Sequence, residues 1–114
     1  MNSPTPEMYV SDFLEDKKRT ELQKWQIWDE SYKGRRISWC GKLDDCSYIS
    51  ETAYVDIEVK GEERLFLFVK FPWSEKKNML SFHVGDYVRV TGVLNGHNAF
   101  THCIDVGDGR ISRA

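Results

Sequence analysis

Residues 53–71, AYVDIEVKGEERLFLFVKF, decide the architecture. On one side of Lys60-Gly61-Glu62-Glu63, Ala53, Val55, Ile57 and Val59 alternate with Tyr54, Asp56, Glu58 and Lys60. On the other, Leu65, Leu67, Val69 and Phe71 alternate with Arg64, Phe66, Phe68 and Lys70. A period of two sends successive side chains to opposite faces of a strand. Two such runs joined by a short glycine-containing link predict a hairpin. Its aliphatic face belongs against a core. The opposite face carries Tyr54, Phe66 and Phe68 among the charges, more aromatic surface than a merely solvated face calls for.

The same period extends in both directions. Ile37, Trp39, Gly41 and Leu43 alternate with Arg36, Ser38, Cys40 and Lys42, a first strand in which Gly41 marks a bend. Pro72 stops the third strand. Trp73 to Phe82 reads as a loop or short helix, and Val84-Gly85-Asp86 as a turn. Val88, Val90 and, past Gly92, Leu94 make a fourth strand. Asn95-Gly96-His97-Asn98 is turn chemistry leading into a fifth strand, Ala99 to Val106. Ahead of the strands the period is helical: Ser11 or Asp12 caps a helix over 11–29 whose face holds Phe13, Leu14, Leu22, Trp25 and Trp28. That face is read as a cover for the sheet, with docking on a partner as the alternative. Residues 1–10, with Pro4 and Pro6, read as a flexible tail, and 107–114 as a frayed end. The fold class is therefore mainly β: a single OB-fold domain over 11–106, in which one amphipathic N-terminal α-helix over 11–29 precedes a five-stranded barrel. Spacing alone leaves an SH3-like barrel open.

Three short words sharpen this: Tyr32-Lys33-Gly34-Arg35-Arg36-Ile37 followed by Gly41; Val84-Gly85-Asp86-Tyr87-Val88-Arg89-Val90-Thr91-Gly92; and His102-Cys103-Ile104. Together they resemble the bacterial tRNA_anti-like OB-fold family over about residues 20 to 106. Members of that family show a Tyr-x-Gly-Lys-like opening, a Gly-Asp-x-Val-x-Val-x-Gly strand and a cysteine near the end of the last strand. Arg35 stands in place of the usual lysine, and Cys40 where threonine is frequent. The resemblance implies a fold; a nucleic-acid ligand does not follow from it.

Composition limits the function. The 114 residues carry 16 Lys and Arg against 18 Asp and Glu, whereas a protein held to nucleic acid by phosphate contacts alone is clearly basic. Residues 1–30 hold 4 basic and 7 acidic side chains, so any basic surface lies further along the chain. The longest apolar run, Leu65 to Val69, is far below the ~18 residues of a membrane helix. Met1 to Pro6 show no secretory signal, and Cys40, Cys46 and Cys103 are an odd set at unrelated spacings. Reduced thiols and a cytoplasmic location are expected.

Tyr54, Phe66 and Phe68 are the candidate ligand-binding rings, with Arg64, Lys70, Arg36 and Lys33 as candidate cations. On an OB barrel the outer face of strands two and three, with the loops after strands one and four, is where single strands stack. At ~1–3 kcal/mol per stacked base, three rings give roughly 3–9 kcal/mol, against about 8 kcal/mol for micromolar binding. Stacking is marginal without the cations, which share the face with Asp56 and Glu58. The same rings equally suit association with another protein chain, a second copy of this one included, or burial beneath the N-terminal helix. His83, His97 and His102 and the cysteines lack the spacing by which one turn presents two ligands to a metal. No nucleophile–base–orienter set accompanies Asp44-Asp45, and no glycine loop is built for phosphates. The expectation is a non-catalytic binding module without a cofactor. It would serve protein interaction or regulation, with modest-affinity single-stranded nucleic-acid binding as the alternative.

Overall fold

A computed structural model describes residues 3–59, 63–98 and 101–114. Its five strands, counted among those residues, are β1 (Arg36–Ser47), β2 (Thr52–Glu58), β3 (Arg64–Lys70), β4 (Tyr87–Asn98) and β5 (Cys103–Arg113). They close into a barrel in the order β1-β2-β3-β5-β4, the connectivity of an OB fold. All neighbours are antiparallel except β3 and β5, which run parallel from Phe66 opposite Cys103 to Val69 opposite Val106.

The alternation decides inside from outside as the sequence predicts. Leu65, Leu67 and Val69 of β3 and Val55 and Ile57 of β2 are buried, as are Val88, Val90 and Leu94 of β4. Gly41 sits where β1 passes from β4 to β2. A Cβ there would lie 2.6 Å from the Asp56 carbonyl oxygen, so only a bare backbone permits the crossing. The 3-10 turn Trp73–Glu75 and a short helix, Lys76–Met79, bridge β3 to β4 and bury Met79.

Four expectations about the chain's ends, helix and turns are corrected. The N-terminal segment is no loose tail within the described residues. Thr5 caps α1 (Pro6–Tyr9), which widens into a π turn, Val10–Leu14, and Tyr9, Val10 and Phe13 are buried. The single helix over 11–29 is instead two segments. The second, α2 (Glu21–Ile27), starts at a capping box between Thr20 and Gln23 and continues as a π turn, Trp28–Tyr32. Its apolar stripe is only partly used: Trp28 is buried while Leu22 is 79% exposed. At the other end, 107–113 are not frayed but form the second half of β5, pairing with β4 and burying Ile111. The Asn95–Asn98 turn is instead the end of β4, paired with β5 through Asn98 opposite Cys103. The predicted links at 60–62 and 99–100 lie outside the described residues.

The N-terminal segments make an aromatic layer against the end of β4. Trp28 and Tyr32 stack at 5.7 Å and 6°, and the Tyr32 hydroxyl donates to Asp12 Oδ2 at 2.5 Å. His97 is enclosed by Tyr9, Phe13, Trp25 and Trp28, with ring centroids 5.9, 5.0, 4.5 and 4.4 Å away.

Candidate binding face

The outer face of β2 and β3 is built by direct cross-strand pairing. Tyr54 lies opposite Phe68, their rings edge to face at 5.4 Å, a favoured geometry for two aromatic rings. Phe68 is in turn level with Asp105 of β5, and Lys70 with Thr52. Thr52, Tyr54, Phe68, Lys70, Asn95 and Asp105 thereby line an open groove of about 510 Å³. No residue of the N-terminal helices lines it; their rings pack around His97 instead.

Of the seven predicted site residues, the structure brings Tyr54, Phe68 and Lys70 into this groove. Phe66 and Arg64 share the face but stand further along β3, Phe66 opposite Asp56 and Arg64 opposite Glu58. Arg64 is committed. Its Nε donates to both oxygens of Asp56 at 3.1 and 3.0 Å, and its Nη2 donates to Oδ2. Asp56 is buried, and a carboxylate taken out of water demands such a partner. Hydrogen bonding by Asp56, followed by its charge, raises the Arg64 pKa further above its ordinary value. Arg36 is not on the face: it belongs to the part of β1 that pairs with β4, and its Nη2 lies 3.7 Å from Asp108. Lys33 is not there either; it ends the Trp28–Tyr32 turn, its N–H donating to the Trp28 carbonyl at 2.8 Å.

Other participants escape sequence reasoning. Asn95 and Asp105 reach the groove only because β5 pairs with both β3 and β4. Beyond the Lys70 end of the sheet, Tyr48 and Trp73 meet edge to face at 5.6 Å, and Lys76 Nζ sits 4.5 Å from each ring centroid. Both rings are exposed, and both are on connections, where no periodicity signals them. Among the described residues no cluster of three or more His, Cys, Asp and Glu is disposed to hold a metal, and the three cysteines are free and half-buried. No helix of the described residues is long and apolar enough to cross a membrane. Compared with known proteins, the chain matches no family model and no curated sequence.

Proposed function

We propose that the chain is a non-catalytic binding module whose Tyr54–Phe68 groove receives a segment of another protein. The observation that carries this is the state of its cations. Arg64 neutralises Asp56 and Arg36 stands against Asp108, so the groove keeps Lys70 with Asp105 as its anion. A strand of phosphates recruits a row of cations, whereas a mixed aromatic and polar surface with balanced charge is the composition of a protein interface. The test is co-purification of a tagged chain from cells. A partner held by the wild type and lost from a Tyr54→Ser, Phe68→Ser variant of unchanged circular dichroism supports this reading. A partner held equally by both overturns it.

The rings favour a second reading, single-stranded nucleic acid. Tyr54 and Phe68 offer roughly 2–6 kcal/mol of stacking between them, and the Tyr48–Trp73–Lys76 cluster adds rings and charge beside Lys70. Fluorescence anisotropy with single-stranded DNA and RNA at low salt separates the two. Binding tighter than about 100 µM that weakens steeply with salt selects nucleic acid.

A further inference from the structure

We infer that the edge of β1 between Arg36 and Cys40 docks an extended peptide strand of a partner protein, one that alternates apolar and basic residues. β1 pairs with β4 along its whole first half, from Arg36 to Lys42, but with β2 only from Lys42 onward. The hydrogen-bond alternation tells which groups are left over. The Arg35 carbonyl accepts from Leu94 N–H at 2.9 Å, and Leu43 N–H donates to the Asp86 carbonyl at 2.9 Å. Odd-numbered residues therefore face β4, and by the period of two the N–H and C=O groups of Arg36, Ser38 and Cys40 face away from it. Among the described residues no strand pairs with them on that side, and no turn or loop backbone group bonds to them.

That side is open. A cleft of about 580 Å³ runs along the edge, walled by Ile57 and Glu58 of β2 and by Ser3 to Glu7. The N-terminal wall does not complete the sheet. Its hydrogen bond to β1 runs from the Trp39 indole N–H to the Pro4 carbonyl at 2.9 Å, and Pro4 and Pro6 have no N–H to offer. Three donors and three acceptors at strand spacing are matched by another extended backbone and by little else. Walls on both sides of a recessed edge admit one strand and keep a second barrel out. The side chains set the pattern: Ile37, Trp39 and Ile57 are buried, exposed Glu7 and Glu58 line the cleft, and the cations beside it are engaged, Arg36 with Asp108 and Arg89 with the Ser38 hydroxyl oxygen. Apolar residues pointing inward and basic ones outward would complement that cleft.

This surface is separate from the Tyr54–Phe68 groove, so either can fail alone. The probe is a capped Lys-Val-Lys-Val-Lys-Val-Lys peptide added to the ¹⁵N-labelled full chain, with amide hydrogen exchange read residue by residue. In the free chain, the Arg36, Ser38 and Cys40 amides should exchange at least tenfold faster than those of Ile37, Trp39 and Gly41. Millimolar peptide should slow the fast set roughly tenfold or more. A peptide N-methylated at alternate residues should do nothing, and one with glutamate in place of lysine should bind several-fold more weakly. The inference is overturned if the fast set is already slow in the free monomer, or if it is protected by dimerisation. It is overturned equally if the amides ignore the peptide, or if N-methylation or glutamate makes no difference.

Discussion

Acidification should loosen the aromatic layer through His97. Burial beside four aromatic rings pushes the His97 pKa from 6.5 down to about 4, with the charge of Asp29 pulling weakly the other way. The Tyr9 hydroxyl hydrogen-bonds Nδ1 at 3.1 Å, while Nε2 is buried without a partner, so a proton added at Nε2 meets no acceptor. The unfolded chain takes up its proton near 6.5 and the folded one only near 4. Between those values the unfolded state holds the extra proton, so the stability from a neutral His97 is complete above 6.5 and lost as the pH falls toward 4. At 1.36 kcal/mol per pH unit that gap sets a ceiling of about 3 kcal/mol. The ring is partly exposed, and solvent screening reduces the expected loss to about 1–2 kcal/mol. Urea unfolding followed by tryptophan fluorescence at pH ~7.5, ~6.5, ~5.5 and ~4.5 measures it, with His97→Phe as the non-titrating control for the carboxylates. The wild type should lose about 1–2 kcal/mol more than the variant across that span. Parallel losses in the two proteins would refute the reasoning.

Two further outcomes follow from packing. Gly92→Ala places a Cβ 2.5 Å from Val106 Cγ1 and 2.8 Å from the Gly107 carbonyl oxygen; overpacking should cost about 1–3 kcal/mol in urea unfolding, and a change under about 0.5 kcal/mol would contradict the contact. Removing residues 1–10 deletes buried Pro4, Tyr9 and Val10 and should cost at least about 3 kcal/mol, the scale of truncating one large core side chain; an unchanged urea midpoint would mean that the segment is dispensable.

The barrel was legible because its core residues fall on strict alternation. Val55, Ile57, Leu65, Leu67 and Val69 need no tertiary knowledge to be placed inside. The second half of β5 was hidden by its glycines. Gly109 looks like a chain end, yet a Cβ there would meet Val69 Cγ1 and the Lys70 carbonyl oxygen, so glycine lets β5 approach the end of β3. The buried N-terminus was hidden by its prolines: they forbid a long regular helix, but Pro6 suits the first turn of α1. Tyr54 and Phe68 could be found by alternation, being neighbours on one face. Asp105 and Asn95 could not, because they reach that face through the pairing of β5 with both β3 and β4. Nor could the Arg36–Asp108 pair, which joins residues far apart in sequence.

The parallel β3–β5 pairing also orders events in time. A chain growing from its N-terminus cannot seal the barrel until Cys103 to Arg113 are free to move, since β5 holds both β3 and β4 in place. The layer around His97 waits longer still, because Tyr9 must meet a partner 88 positions away. Early in synthesis Tyr9, Phe13 and Trp28 have only one another to pack against, and completion of the fold is set by distant encounters rather than by helix formation.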